Sequence, residues 1–339
     1  MSRRKVRLTD VAAAAGTSAK TASRVLNGDP RVAVATRARV ERAIAELQYR
    51  PDPLARSLRK GTDETIGVVI DSIADPFFAS VTSEIEKVAF ANGLTVTVAS
   101  TGRSADRERL LLDGMVRRKV AGVIVAPASL NHAYLGGASC AVVFIDRGPV
   151  ALDVDAVLVD DFHGARTAVA HLIAHGHRRI AYVGDLLNMQ TADQRLAGYR
   201  AAHAAADLPV DESLIAADCS EIADATERAG QLLARPDAPT AIFTANTRCS
   251  MGVAPALHAL SRTDVALVGF GDFLMAASLQ PAVTVIDHSP EVIGQLAAER
   301  LFHRLAGSGE PSRRIEAPLR LIVRGSGELP PSTPVRRDN

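Results

Sequence analysis

Few residues of this chain combine side-chain types and spacing that could support catalysis or metal binding. His171 and His175 stand four apart in "AHLIAHGH", the spacing of two ligands on one helix face, yet no HExxH motif accompanies them. Asp160 and Asp161 are adjacent carboxyls and give only a weak indication of acid–base chemistry. No G-x-S-x-G, Walker A or G-x-G-x-x-G motif occurs in the appropriate context. The sequence therefore predicts a protein that is not an enzyme and that uses neither a metal nor a cofactor.

Charge is distributed unevenly along the 339 residues. Residues 1–60 hold 14 Lys and Arg against 5 Asp and Glu, a net charge of +9, whereas the remainder holds 25 against 33, a net charge of −8. A basic segment joined to an acidic body indicates that the segment meets a polyanion while the body has another task. A solvated basic tail is the alternative interpretation of the charge alone.

Composition and cysteine usage indicate a cytoplasmic globular protein. The chain is 47% hydrophobic and 23% charged, and no run of eighteen apolar residues predicts a transmembrane helix. The start "MSRRKVRLTD" leads into no apolar segment of the kind found in secretory signals. Three scattered cysteines without CxxC spacing predict neither a zinc site nor a disulfide framework, which is typical of a reducing compartment.

From about Thr65 onward, short aliphatic runs alternate with amphipathic segments of helical length, such as 77–92, 106–118, 164–175 and 194–206. The runs are TIGVVI (65–70), LTVTVAS (94–100), AGVIVA (121–126), AVVFID (141–146), AVLVD (156–160), IAYVG (180–184), AIFTA (241–245) and VALVGF (265–270). Unbroken aliphatic runs between helices are typical of buried parallel strands in βαβ units. The extent of the pattern predicts an α/β body of two doubly wound parallel-sheet lobes, with ligands bound outside the carboxyl ends of the strands.

Two short alanine-rich segments separated by "GTS" stand near the start of the chain. Asp10–Ala15 is predicted to form one helix, and Gly16 permits a tight turn after it. Ser18 is a suitable N-cap for a second helix that runs to Leu26, and an amphipathic third segment covers 36–49. The layout favours an all-α helix-turn-helix head, with a generic three-helix bundle as the alternative.

These residues also carry a family resemblance. The stretches "DVAAAAGTSAKTASRVLNG", "VAVATRARVERAIAELQYRPDPLARSLRKG", "DPFFASVTSEIEKVAFANG", "HLIAHGHRRIAYVGD", "RLAGY" and "ALVGFGDF" follow one another in an order and spacing that resemble the LacI/GalR family of transcriptional regulators. The resemblance covers nearly the whole chain. It implies a homodimer that binds a pseudo-palindromic operator in double-stranded DNA, has no membrane partner, and is controlled by a small-molecule effector in a cleft between two lobes. Repression is the outcome expected for the family.

The resemblance places the DNA contacts on the second helix and on a hinge helix that enters the minor groove. It implies base-edge contacts for Ala19, Lys20, Ala22 and Ser23, and phosphate or base contacts for Thr21 and Arg24. Leu58 matches the leucine that is wedged into a base step. The full set of expected DNA-binding residues is Thr9, Ser18, Ala19, Lys20, Thr21, Ala22, Ser23, Arg24, Asn27, Ala55, Arg56, Leu58 and Arg59.

The resemblance likewise implies an effector site in the body, which is similar to periplasmic sugar-binding proteins. The expected contacts are Asp75, Phe77, Phe78, Asp146, Arg147, Asp161, Arg195, Asn246, Asp272 and His288. Three positions depart from the family pattern: Thr247 and Gly271 stand where carboxylates are usual, and His288 stands where glutamine is frequent. The effector is therefore expected to be a sugar or related metabolite, with a less hydroxylated or anionic metabolite as the alternative.

The predicted organisation has four parts. Residues 1–50 form the head, 51–62 a hinge helix or linker that begins near Pro53, 63–330 the body, and 331–339 a disordered tail. Within the body, lobe 1 is expected at about 63–161 and 289–320, and lobe 2 at about 162–288 and 321–330. A secreted solute-binding protein would share the body but has no use for the basic head.

Overall fold

The head and the body are separate structural units. The computed structural model of the chain describes residues 6–26, 29–49, 63–129 and 131–331. The division between the two units falls between Asp63 and Glu64. The predicted hinge helix at 51–62 and all but the first residue of the predicted tail lie outside the described residues.

Three helices form the head: α1 (Leu8–Ala14), α2 (Ala19–Leu26) and α3 (Val34–Glu46). The Ser18 hydroxyl accepts a hydrogen bond from the Thr21 backbone N–H at 3.1 Å, which confirms the predicted cap of α2. Gly16 has φ +59, so the turn between α1 and α2 uses the backbone freedom of glycine. The helix-turn-helix layout is therefore confirmed.

Two head helices have boundaries that differ from the prediction. Helix α1 begins at Leu8 because the Asp10 carboxylate accepts a hydrogen bond from the Arg7 backbone N–H at 2.8 Å and closes the first turn early. Helix α3 ends before Gln48, whose φ of +48 turns the chain, and the Tyr49 N–H then donates to the Ile44 carbonyl at 3.0 Å.

Packing holds these short helices together. Helices of seven or eight residues are marginal by themselves, so the buried face of each must supply their stability. The shared core of the head is made by Val11, Ala12, Ala15, Ala22, Val25, Val32, Val40 and Ala43.

Lobe 1 of the body is built on a six-stranded sheet. Its strands are β1 (Asp63–Ile70), β2 (Thr95–Ser100), β3 (Val120–Val125), β4 (Ala141–Ile145), β5 (Asp155–Leu158) and β11 (Arg314–Glu316), in the spatial order β11-β5-β4-β3-β1-β2. Its helices are α4 (Pro76–Ala91), α5 (Ala105–Arg117) and α10 (Pro290–Leu305). Val68 packs with α4 and α10 on one face, whereas Val69 packs with α5 on the other. The sheet is thus covered on both sides, as its unbroken aliphatic runs predict.

Lobe 2 repeats this architecture. Its strands are β6 (Ile180–Val183), β7 (Ile215–Ala216), β8 (Ala241–Thr244), β9 (Ala266–Phe270), β10 (Thr284–Asp287) and β12 (Arg320–Ile322), in the order β12-β10-β9-β8-β6-β7. Its helices are α6 (Asp161–Ala174), α7 (Gln190–Ala205), α8 (Ile222–Leu233) and α9 (Thr247–Ala259). Strand β12 is antiparallel to β10 at one edge. The predicted class of two doubly wound lobes is confirmed.

The chain passes between the lobes three times: between β5 and α6, between β10 and α10, and between β11 and β12. Each crossing lies beside the carboxyl ends of the central strands, where ligands bind in open α/β sheets. No helix in the described part of the chain is long and apolar enough to span a membrane.

Candidate functional site

A small cavity lies between the two lobes at the carboxyl ends of their strands. It has a volume of about 50 Å³, room for a few water molecules. The polar and charged side chains that line it are Asp71, Asp75, Asp146, Arg147, Asp185, Thr191, Arg195, Asn246, Thr247, Arg248 and His288. Phe77, Phe78, Met189, Ala192, Ala245 and Phe270 supply its apolar walls. Eight of the ten expected effector residues therefore meet at one place.

Strand ends and helix starts aim these side chains inward. Asp75 caps α4 by accepting a hydrogen bond from the Phe77 N–H at 3.0 Å, and Asn246 caps α9 by accepting one from the Cys249 N–H at 2.8 Å. Asp146 follows β4 with φ +66, a left-handed conformation that is costly for a residue with a side chain. Backbone strain of this kind persists where the surrounding structure fixes the position of a side chain.

Two arginines in the cavity wall are each held by buried carboxylates. Arg147 donates to Asp71 at 2.7 Å and to Asp146 at 3.0 Å. Arg195 donates to Asp161 at 2.7 Å, and its guanidinium carbon lies 4.0 Å from the centre of the Phe270 ring. Such pairs fix the orientation of planar donors that can bind a ligand.

Burial shifts the acid–base behaviour of the carboxyls around the cavity. It raises the pKa of Asp75 to about 6, against a backbone hydrogen bond from Phe77 that lowers it. Burial also raises the pKa of Asp161 to about 6, although the Arg195 charge opposes the shift. The pKa values of Asp146 and Asp185 are raised for the same reason.

Ion pairs cross the cavity from one lobe to the other. Arg103 of lobe 1 donates to Asp185 of lobe 2 at 2.7 Å, and Arg248 of lobe 2 also donates to Asp185, at 3.1 Å. Arg248 Nε lies 3.4 Å from Asp75 of lobe 1. The sequence predictions included neither arginine, nor Asp71 or Asp185. Asp71 and Asp185 each directly follow a predicted strand, and this position could have identified them. Nothing in the sequence pattern indicates that Arg103 and Arg248 lie at the site.

Aromatic rings form the other side of the cavity. The Phe77 and His288 rings are stacked, with centroids 4.7 Å apart and planes 15° from parallel. Phe270 meets His288 edge-on at 5.6 Å. Complete burial lowers the pKa of His288 to about 3, so its imidazole is neutral at physiological pH and offers one donor and one acceptor.

Thr247 and Gly271, the two positions where the family usually has carboxylates, are neighbours in space. Gly271 has φ +90, and a Cβ at this position would clash with the Thr247 hydroxyl and lie 3.0 Å from His288 Cε1. No side chain can be added at residue 271 without moving Thr247. The absence of a side chain at residue 271 is thus coupled to the presence of threonine at residue 247.

Several buried polar atoms at the cavity have no hydrogen-bond partner. They are Asp71 Oδ1, Arg248 Nε and His288 Nδ1 on residues that line the cavity, and Arg103 Nη2 on an arginine that pairs with Asp185 of its wall. Leaving a buried polar atom without a hydrogen bond costs about 1–3 kcal/mol. A ligand that bonds to these donors and to the Asp71 acceptor would remove that cost.

Two expected effector residues lie outside the cavity wall. Asp272 does not line the cavity, because the chain turns at Gly271 and the Asp272 carboxylate pairs with Arg324 Nη1 at 2.8 Å. Its expected role as an effector contact is therefore wrong. Asp161 sits behind Arg195 and orients it. The neighbouring Asp160 caps α6 by accepting a hydrogen bond from the His163 backbone N–H at 2.9 Å.

The histidines of "AHLIAHGH" have structural partners. His177 Nδ1 lies 2.9 Å from Thr240 Oγ1 and its Nε2 lies 2.9 Å from the Leu329 carbonyl. His171 bonds to Glu328, which lies next to Leu329. These contacts hold residues 328–329 against lobe 2. Among the described residues, no group of three or more potential ligands is arranged to bind a metal ion.

In the head, α2 exposes part of the set expected to contact DNA. Ser18, Ala19 and Lys20 are exposed, as is Thr9 on α1, while Thr21, Ser23 and Arg24 are half-buried. Ala22 is completely buried in the head core, so its expected contact with a base edge is wrong. The side chain faces α1 and α3 because the short helix must bury one face. Asn27, Ala55, Arg56, Leu58 and Arg59 lie outside the described residues.

A helix-turn-helix head and a two-lobed α/β body with an interlobe cavity define the class of the protein, a ligand-responsive DNA-binding regulator. Comparison with family models agrees. Residues 7–52 match the bacterial regulatory proteins of the lacI family, and residues 63–324 match the periplasmic binding proteins and sugar binding domain of the LacI family. The chain belongs to the LacI family.

Curated relatives extend over nearly the whole chain. The ribose operon repressor of Escherichia coli K12 is 31% identical over 94% of this chain and 98% of its own length. The repressor PurR of Mannheimia succiniciproducens is 30% identical over 94% of this chain and 97% of its own length. The solved structure of the Lac repressor bound to ONPG in its repressed state has 25% identity and a TM-score of 0.82, and it covers 95% of this chain and 100% of that chain.

Proposed function

We propose that the protein is a repressor that binds a pseudo-palindromic operator as a homodimer, and that its effector is a small neutral sugar of about monosaccharide size. Its ribose-repressor relative supports a pentose, whereas the similarity to PurR is nearly as high and supports a purine. The cavity must therefore decide between these ligand classes.

The charge balance of the cavity favours a neutral ligand. Asp71, Asp75, Asp146 and Asp185 are opposed in the cavity wall by Arg147, Arg195 and Arg248. Since acids and bases nearly cancel and pair with one another, an anionic metabolite would meet several carboxylates without a surplus of cations. This argument favours a sugar over the anionic alternative.

The arrangement of polar and aromatic groups favours a hydroxylated ligand. One observation carries the proposal: Asp71 Oδ1, Arg248 Nε and His288 Nδ1, all on residues that line the cavity, are buried without hydrogen-bond partners, and the His288 ring stacks on Phe77. A sugar hydroxyl both donates and accepts, and a sugar ring presents C–H groups that pack on an aromatic face. The small cavity volume, about 50 Å³, argues against a disaccharide.

The exposed face of the head supports operator binding. Lys20 can donate to guanine O6 and N7, and the small side chain of Ala19 allows close approach to the base edges. Arg24, Arg31 and Arg37 lie near the end of α2 and the start of α3, where Arg24 can contact a base edge or a phosphate and the other two can contact phosphates.

A thermal-shift and calorimetric screen of the full-length protein tests the effector assignment. D-ribose, other pentoses, hexoses, cellobiose, gluconate, hypoxanthine and guanine are the probes. We expect stabilisation by a neutral monosaccharide, about 2.7 kcal/mol at a hundredfold excess over its Kd. Stabilisation only by gluconate or by a purine base would contradict the proposal.

A matched pair of variants locates the ligand in the cavity. Arg248→Met removes a guanidinium that lines the cavity, whereas Arg262→Met removes one that pairs with Asp264 outside it. The sugar's Kd should rise at least about tenfold in R248M, the cost of losing a charged hydrogen bond, and stay unchanged in R262M. Equal effects of both substitutions would place the ligand elsewhere.

A further inference from the structure

Asp29, in the loop after α2, gathers three arginines of the head. Its carboxylate accepts a hydrogen bond from Arg24 Nε at 2.9 Å, and its backbone carbonyl accepts one from Arg37 Nη2 at 2.7 Å. Arg31 donates to both carboxylate oxygens, each at 3.0 Å. Asp29 thus connects α2 and the loop through its carboxylate, and α3 through its backbone carbonyl, on a strongly basic surface.

The two arginines that share the Asp29 carboxylate are held differently. Arg31 uses both Nε and Nη2 on the carboxylate, which occupies its fork. The Arg24 side chain donates to Asp29 only through Nε, and among the described residues the guanidinium makes no further hydrogen bond. Its two Nη groups are therefore left as a pair of coplanar donors, the arrangement that binds guanine O6 and N7.

The Asp29 carboxylate is suited to remain charged beside DNA. Hydrogen bonds from the Arg31 side chain and backbone hold its pKa well below the usual range, and Arg24 adds to this shift. A persistent negative charge keeps Arg24 in one orientation. The same charge repels phosphates, which weakens contacts that any DNA sequence could make.

We infer that Asp29 is a positioning residue that orients Arg24 toward a guanine in each operator half-site and disfavours non-specific DNA. This inference rests on the proposed function, in which α2 reads the operator. It adds a residue outside α2 that sets base preference through its hold on Arg24.

Selection from a randomised duplex library with the full-length protein tests the inference. The wild-type protein should enrich a pseudo-palindrome in which a G·C pair is preferred at one position of each half-site. In Asp29→Asn, the preference at that position should fall about tenfold, as expected when a bidentate base contact loses its geometry. Affinity for a scrambled duplex should rise in D29N, because one negative charge is removed.

Three further variants separate positioning from charge and from folding. Glu41→Gln removes one negative charge from an exposed position on α3 and should leave base preference unchanged. Arg24→Ala should lose the same G·C preference, and the double variant D29N/R24A should lose no more than R24A alone. If D29N proves too unstable to purify, Asp29→Glu provides the test, because it keeps the charge but moves the carboxylate, and it should lower the same G·C preference.

Several outcomes would overturn the inference. They are an unchanged G·C preference in D29N, a loss at a base pair different from the one affected by R24A, and a further loss in the double variant. If the wild-type protein enriches no sequence at all, the proposed operator binding is what fails. A wild-type site that D29N reads equally well refutes only the role of Asp29.

Discussion

The Thr247 hydroxyl occupies the space into which any side chain on Gly271 would extend. Gly271 follows β9 with φ +90, and Thr247 is the first residue of α9, so two neighbouring strand-to-helix regions of lobe 2 constrain each other. A side chain at residue 271 is therefore incompatible with the present position of the Thr247 hydroxyl. For the proposed sugar effector, the carboxylate acceptors that line the cavity are Asp71, Asp75, Asp146 and Asp185.

Gly271→Ala should destabilise the body, because alanine meets both an unfavourable backbone conformation and the Thr247 hydroxyl. The expected loss in the free energy of unfolding is about 2 kcal/mol, measured by denaturant titration. The double variant T247A/G271A should recover part of this loss, since it removes the clash but not the backbone strain. Additive effects of the two substitutions would show that the residues are not coupled.

Asp185→Asn should favour separation of the lobes. Asp185 accepts hydrogen bonds from Arg103 of lobe 1 and Arg248 of lobe 2, so its charge stabilises the closed arrangement. We expect the ratio of closed to open forms to fall about tenfold, which corresponds to about 1.4 kcal/mol, and the radius of gyration from small-angle X-ray scattering to rise. Glu212→Gln, in an exposed pair with Arg200, is the control and should change neither quantity. An unchanged radius of gyration in D185N would contradict the account.

Asp75→Asn should weaken the pH dependence of stability. The folded pKa of Asp75 is about 6, above its ordinary value of 3.8, so the folded state binds the proton more tightly than the unfolded state. The resulting stabilisation is present below about pH 4 and is lost as the pH rises through 6. Asp161 has the same folded pKa and contributes in the same direction.

The pH effect can be measured by denaturant titration between pH 4.5 and 7. Asp75 and Asp161 together cause a decline in the wild-type free energy of unfolding over this pH range. D75N should remove about half of that decline, and the part removed is on the order of 2 kcal/mol. Parallel curves for D75N and the wild-type protein would mean that Asp75 titrates as an ordinary exposed carboxyl.

Ala22→Gln and Ala19→Gln should have opposite consequences for the head. Ala22 is completely buried, so a longer polar side chain there should cost about 2–3 kcal/mol of head stability. Ala19 is exposed on the same helix, and Ala19→Gln should leave the head folded. Thermal melting of the full-length protein, followed by circular dichroism at 222 nm, distinguishes the two. Equal stability of both variants would contradict the packing of α2.

Much of the fold follows from patterns that the sequence contains. All eight aliphatic runs form strands. Seven of these strands are largely buried, as expected where a strand covered on both faces needs an unbroken apolar stretch, whereas β2 lies at the edge of its sheet and has no buried residue. The strands that were not predicted, β7, β11 and β12, have only two or three residues, too few to show a pattern. Strand β10 also escaped prediction, although it contains the apolar residues Val285 and Ile286.

The site was predicted less completely, for reasons that concern single residues. A residue that directly follows a strand is expected to face the cleft, and Asp146 and Arg147 do so. It fails for Asp272, because the backbone of Gly271 redirects the chain. Arg248 reaches the cavity, and Arg103 reaches Asp185 in its wall, through long side chains whose direction depends on tertiary contacts.

The most direct test of the account is DNA binding in the presence of candidate effectors. Fluorescence anisotropy would measure the affinity of the full-length protein for a duplex enriched from a random library, with and without each sugar and purine of the screen. The account predicts that a neutral monosaccharide changes this affinity at least about tenfold, a coupling of about 1.4 kcal/mol, and that R248M abolishes the change. A response only to purine bases or sugar acids would contradict it.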